Sequence, residues 1–123
     1  MASLVVLVHT DPDVLYRAEA LLYDAGCVVV SASSFHAARK ALECVEPDLL
    51  IADVRLDDFN GLHLAILSRF ERPRTRVIIT HACPDPMLEW EARRCDAAFV
   101  VNPLANPDFL SSVRAALAEK ALL

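Results

Sequence analysis

The sequence predicts a doubly wound α/β fold: a parallel sheet of five strands in order 2-1-3-4-5, covered by helices on both faces. Short apolar runs rich in β-branched residues alternate five times with segments of helical periodicity. Residues that commonly begin helices stand at several of the transitions. The 123 residues are 55% hydrophobic and 24% charged, which favours one domain over residues 1–123 with a substantial core.

The first strand, Leu4–Val8, is apolar on both faces, which is typical of a central parallel strand. Asp11 is the predicted N-cap of the first helix, and Pro12 suits the first helical turn. Gly26 is placed to end that helix in a left-handed conformation. The second strand is predicted at residues 27–30.

Ser33-Ser34 is the predicted cap of the second helix, and Pro47 ends it. The third strand is Leu49–Asp53, a fully apolar run that ends in a carboxylate. Asn60-Gly61 is a turn signal before the third helix. Asp53 is therefore expected at the carboxyl edge of the sheet, where open α/β sheets place their chemistry.

The fourth strand is predicted at residues 77–79, followed by a short helix at 87–94. The fifth strand is Ala97–Val101, and Asn106-Pro107 is the predicted start of the last helix. The complete order of elements is flavodoxin-like. The glycines of a phosphate-binding loop are absent from the sequence, which argues against a nucleotide or flavin site.

Composition excludes other classes of function. The net charge is −5, and no basic cluster exceeds a pair such as Arg93-Arg94, so direct nucleic-acid binding is not expected. No apolar run approaches the roughly 18 residues of a membrane span. The four cysteines are irregularly spaced, which favours free thiols in the cytoplasm.

Residues 47–56 (PDLLIADVRL), then Asn60-Gly61-Leu62 and a later Asn102-Pro103 pair, resemble the receiver domains of response regulators, the CheY-like superfamily of bacterial two-component signalling. The resemblance spans the chain. It implies that Asp53 accepts a phosphoryl group from a histidine kinase or a phosphotransfer protein. It also implies that Thr80 is the switch hydroxyl and that Phe99 holds the position of the switch aromatic.

The family pattern also includes two acidic residues after the first strand, which bind Mg²⁺, and a lysine after the fifth strand. Here His9 and Thr10 occupy the acidic positions, and Asn102 occupies the lysine position. Magnesium prefers oxygen ligands. Asp53 and Asp11 are the remaining candidate ligands, and the predicted Mg²⁺ site is weak or absent.

Three neighbouring residues are candidates for auxiliary roles at this site. Arg55 could place a positive charge at the rim that Asn102 does not supply. His9 as a cation could hold Asp53 ionised. His81 could take the switch position if the loop is one residue shorter, or could bind zinc together with His9 and Asp53.

The resemblance favours an atypical pseudo-receiver with impaired Mg²⁺ and phosphoryl chemistry, which is not an enzyme and acts through protein contacts. The alternative is an active phosphoacceptor on Asp53, with Mg²⁺ as its cofactor. Expected partners are a histidine kinase, a phosphotransfer protein or an output protein or domain. A homodimer could form through the fourth helix, fifth strand and fifth helix, a face expected to present Trp90, Arg93, Arg94 and Phe99.

Overall fold

The computed structural model describes residues 2–122 as alternating strands and helices. In chain order the elements are β1 (Leu4–Val8), α1 (Pro12–Asp24), β2 (Val28–Ala32), α2 (Phe35–Cys44), β3 (Leu49–Asp53), β4 (Arg55–Leu56), β5 (Phe59–Asn60), α3 (Gly61–Glu71), β6 (Arg76–His81), α4 (Pro86–Arg94), β7 (Ala97–Val101) and α5 (Asp108–Lys120). No helix within residues 2–122 is long and apolar enough to cross a bilayer.

The main sheet is parallel, with strand order β2-β1-β3-β6-β7. This confirms the predicted order 2-1-3-4-5, because β6 and β7 are the fourth and fifth long strands. The register pairs Asp53 of β3 with Thr80 of β6, and His81 with Val101 of β7. The sheet therefore brings the third and fourth strand ends side by side at the carboxyl edge.

The helix starts follow the polar signals in the sequence. Asp11 accepts hydrogen bonds from the backbone N–H groups of residues 13 and 14, and Ser34 accepts one from residue 37. Asp85 caps α4 in the same way through the N–H of Leu88, at 3.1 Å. Gly26 ends α1 with φ of 89°, the left-handed conformation that glycine adopts without strain.

Two apolar cores lie on opposite faces of the sheet. Val6, Leu50 and Ile79 pack with α2, α3 and α4, whereas Val5 and Ile51 pack with α1 and α5. Adjacent residues of one strand thus belong to different cores, as the two-residue period of a strand requires. This alternation decides which side chains at the strand ends can meet.

The last helix begins at Asp108, directly after the predicted start signal Asn106-Pro107. Pro107 is the residue that precedes α5, and it makes no side-chain cap. Asn106 does the capping from one position earlier, because its Oδ1 accepts the Asp108 N–H at 2.9 Å. Its Nδ2 also donates to the carbonyl of Val101 at 3.0 Å, which ties the end of β7 to the start of α5.

Candidate functional site

Asp53 ends the buried strand β3 and is only 8% exposed. Three groups meet its carboxylate. The Thr80 hydroxyl donates to Oδ1 at 2.9 Å, the Arg55 backbone N–H donates to Oδ2 at 3.1 Å, and His9 Nε2 lies 3.6 Å from Oδ1. A buried carboxylate with two donors is a satisfied acceptor, so burial does not leave it unpaired.

His9 lies between Asp11 and Asp53. Its Nδ1 accepts a hydrogen bond from the Asp11 backbone N–H at 3.0 Å, which turns the other ring nitrogen, Nε2, toward Asp53. At 3.6 Å the Nε2–H contact with Asp53 is too long for a good hydrogen bond. The geometry therefore does not match the charge-assisted pair expected from a His9 cation.

Thr80, and not His81, contacts the aspartate. Thr80 is buried beside Asp53 on the same face of the sheet, so His81 points to the opposite face. There the His81 ring lies 6.3 Å from the ring of Phe99. The shorter-loop alternative for His81 and the zinc site with His9 and Asp53 are both contradicted by this geometry.

The residues present do not fit a magnesium ion. Within residues 2–122, no three His, Cys, Asp or Glu side chains cluster so as to hold a metal. Asp11 Oδ1 is engaged by the N–H groups of residues 13 and 14, at 2.9 and 3.4 Å. Beside Asp53 stands an imidazole, a poor ligand for a hard cation that prefers oxygen.

Asn102 lies at the end of β7, exposed, with φ of 46°. Its backbone N–H donates to the His81 carbonyl at 2.7 Å. Asn tolerates this left-handed conformation better than most residues. Arg55 is also exposed, and the contact that it makes with Asp53 comes from its backbone N–H, not from its guanidinium.

Two features beside Asp53 were not predicted. Residues 55–60 form a small antiparallel hairpin, whose Phe59 stacks on Phe35 of α2 at 4.7 Å between ring centroids. The sequence signal for this hairpin is the two-residue link Asp57-Asp58 between the short strands Arg55–Leu56 and Phe59–Asn60. Gly61 packs so tightly that a Cβ at this position would overlap the Asp53 carbonyl oxygen.

The four residues expected on one face, Trp90, Arg93, Arg94 and Phe99, lie on different sides of α4. Arg93 lines a groove with Ala98 of β7 and Ser112 of α5, on the expected side. Trp90 and Arg94 instead line a groove with Leu62 and Ile66 of α3, on the other side of the helix. Half-buried Phe99 packs against the core beneath α4. Of the residues expected on this face, Trp90 and Arg94 therefore lie toward α3, and Arg93 lies toward β7 and α5.

These features match a known family. The response regulator receiver domain model matches residues 5–114, and the chain belongs to this family. The protein is thus a receiver domain of two-component signalling, as the Asp53 and Asn60-Gly61 segments predicted. No curated protein matches the sequence.

Solved receiver structures share the fold. A CheY-like receiver domain from Methanospirillum hungatei JF-1 aligns with a TM-score of 0.90 at 21% identity, covering 99% of this chain and 98% of its own. The signal receiver domain of an HD domain-containing protein from Pseudomonas fluorescens Pf-5 gives 0.90 at 22% identity, covering 100% of both chains. The beryllofluoride-activated NtrC4 receiver domain dimer gives 0.87 at 19% identity, covering 95% and 98%. These similarities confirm the flavodoxin-like fold.

Proposed function

We propose that this domain is an atypical receiver, in which Asp53 is not efficiently phosphorylated and signalling depends on contacts with other proteins. The observation that carries the proposal is the group beside Asp53. Where a receiver's second carboxylate is expected, His9 places an imidazole 3.6 Å from Asp53 Oδ1, and its other nitrogen is held by the Asp11 N–H.

Electrostatics supports this proposal. Phosphoryl transfer depends mainly on positioning and on neutralising the charge of the transferred group. The acidic pair that would hold a metal is replaced by His9 and Thr10, and Asn102 offers no positive charge. The side chain of Arg55 is exposed to solvent, where its electrostatic contribution is weak, and only its backbone N–H contacts Asp53.

The expected partners follow from membership in the family. We propose a histidine kinase, a phosphotransfer protein or an output protein or domain as the contact, with no catalytic activity in the domain itself. The NtrC4 neighbour is a receiver dimer. By analogy, the α4-β7-α5 face, where Arg93 and Ala98 line a groove, is the candidate surface for a homodimer.

The alternative, an active phosphoacceptor, is favoured by one contact. Thr80 donates to Asp53 at 2.9 Å, so the aspartate and the switch hydroxyl of the family are already paired. In this alternative Asp53 attacks a phosphoryl donor despite the altered neighbours, and the attack needs a Mg²⁺ ion that the present side chains hold poorly.

Incubation with acetyl phosphate and Mg²⁺, followed by intact-mass spectrometry, separates the two functions. The proposal predicts no phosphorylated species at times that fully modify an ordinary receiver run in parallel. Asp53→Asn is the control for modification elsewhere in the chain. A phosphorylated species that disappears in Asp53→Asn would overturn the proposal and establish the active alternative.

A further inference from the structure

An apolar groove lies between α3 and α4, with a volume of about 350 Å³. Leu62 and Ile66 of α3 form one wall. Trp90 and Arg94 of α4, with Cys95 at the end of that helix, form the other. Leu62 and Ile66 are four residues apart on α3, and Trp90 and Arg94 are four apart on α4, so each pair lies on one face of its own helix.

Large apolar side chains are exposed in the groove and elsewhere on its two helices. Ile66 and Trp90, which line the groove, are 41% and 55% exposed, and Met87 of α4 and Phe70 of α3 are 63% and 80% exposed. Residues 62, 66 and 70 recur at every fourth position of α3, and residues 87, 90 and 94 lie on one side of α4. Contiguous exposed apolar and aromatic side chains of this kind mark contact surfaces, and aromatic residues dominate the energetics of protein interfaces.

The charge at the groove has the opposite sign to that of the chain. Arg94 lies over the Trp90 ring at 4.8 Å, and Arg69 Nη1 donates to the Arg94 carbonyl at 2.7 Å. Neither guanidinium pairs with a carboxylate within residues 2–122, whereas neighbouring Arg93 pairs with Glu89 at 2.7 Å. Two positive charges are thus available beside an apolar groove, on a chain with net charge −5.

We propose that the α3–α4 groove binds an amphipathic helix of a partner protein, with its apolar side on Trp90 and Ile66 and its acidic side toward Arg69 and Arg94. A helix laid in a groove between two helices is a recurrent mode of recognition. Glu91 also lines the groove, three residues before Arg94, so Arg69, Arg94 and Glu91 together leave one net positive charge for an acidic partner.

The same charges disfavour a second copy of this chain as the occupant. In a twofold dimer through this groove the same surface of both copies is buried, so one interface would hold four arginines, Arg69 and Arg94 of each copy, against two Glu91 carboxylates. Like charges placed across an interface weaken it. The proposal does not depend on whether Asp53 accepts a phosphoryl group, so it is tested independently of the proposed function.

The test uses two designed helical peptides of roughly 15–20 residues, long enough to form a helix, with leucine on one face and either glutamate or lysine on the other. Binding to the 123-residue chain is followed by anisotropy of a labelled peptide and by Trp90 emission. The glutamate peptide is expected to bind with a Kd on the order of 10 μM, and more weakly as salt rises. The lysine peptide is expected to bind at least roughly tenfold more weakly.

Single substitutions assign the binding to the groove. Arg94→Gln and Arg69→Gln should each weaken binding of the glutamate peptide roughly threefold, and Trp90→Ala more than about tenfold. Glu91→Gln should strengthen it. Arg93→Gln is the matched control, because it removes the same charge from the next residue, whose partner is Glu89. Circular dichroism confirms that each surface variant is folded.

Three outcomes would overturn the proposal. The first is equal affinity for the glutamate and lysine peptides. The second is an equal effect of Arg94→Gln and Arg93→Gln. The third is sedimentation of the unmodified chain as a dimer that Trp90→Glu converts to a monomer, which would make the groove a self-association surface.

Discussion

Gly61→Ala tests how the loop holds Asp53. The φ angle of Gly61 is an ordinary one, so its role lies in space and not in backbone freedom. A Cβ at this position would overlap the Asp53 carbonyl oxygen and lie 2.9 Å from the Asp53 carbonyl carbon. Both atoms belong to the backbone at the end of a buried strand, so moving either one would cost stability.

The cost follows from two opposing terms. Overpacking against fixed atoms typically costs about 1–3 kcal/mol. Alanine offsets up to about 1 kcal/mol of this through its helix propensity and the lower entropy of its unfolded chain. A net loss of about 2 kcal/mol in the free energy of unfolding corresponds to a Tm lower by roughly 8 °C for a chain of this size.

Gly26 provides the matched comparison. It has φ of 89°, and a Cβ added there would meet no atom within 4 Å, so the obstacle at this position is conformation and not space. Asn tolerates the left-handed region, so Gly26→Asn should recover much of the stability lost in Gly26→Ala, whereas Gly61→Asn should be no better than Gly61→Ala. The measurement is calorimetry. A Gly61→Ala variant that melts within about 2 °C of wild type, which is a shift of less than about 1 kcal/mol, would contradict this reasoning, because it would show that the Asp53 backbone moves at little cost.

Three further predictions concern the site and the core. Thr80→Val removes a donor to the buried Asp53 carboxylate and should cost about 1.5–3 kcal/mol by urea unfolding. Most of this loss should be absent in an Asp53→Ala background, which removes the acceptor, and equal losses in both backgrounds would contradict the coupling. Burial raises the pKa of the Cys27 thiol, so the folded state holds this proton more tightly than the unfolded state. The free energy of unfolding should be unaffected below the pKa of an unfolded thiol and should fall as pH rises from there toward the raised value. If wild type and Cys27→Ala lose the same free energy of unfolding at alkaline pH, the effect does not come from Cys27. His9→Asp with Thr10→Asp should create a Mg²⁺ site. With a Kd of about 1 mM, about 10 mM Mg²⁺ would raise the Tm by roughly 5 °C, and no shift would mean that carboxylates at these two positions do not complete a metal site with Asp53.

The fold was largely predictable because its signals are local. The five apolar runs located the strands within a few residues, and Asp11, Ser34 and Asp85 cap helices with side chains whose chemistry is visible in the sequence. The strand order followed from the crossover rule and the number of strands. The start of α5 follows the same rule, because Asn106 accepts the Asp108 N–H, whereas its bond to the Val101 carbonyl has no signature in the sequence.

The proximity of Asp53 and Thr80 was predictable, but the hydrogen bonds around them were not. Asp53 and Thr80 meet as their strand positions required, and strand periodicity alone already places His81 on the opposite face. The orientation of the His9 ring depends on a backbone N–H two residues away, and the left-handed φ of Asn102 depends on the turn after β7. Neither has a signature in the sequence. The limits of α4 were predicted to within one residue, at 87–94 against Pro86–Arg94, but the neighbour that Trp90 faces depends on how α4 packs against α3.

The proposal of an atypical receiver is best tested by a titration with Mg²⁺ and beryllofluoride, a phosphoryl mimic, followed by amide NMR. We expect no saturable shift at Asp53, Thr80 or Phe99 up to roughly tens of millimolar Mg²⁺, a range in which even a weak carboxylate site would begin to fill. A saturable shift centred on these three residues, absent in Asp53→Asn, would show that the pocket still binds metal and phosphoryl group, and would contradict the proposal.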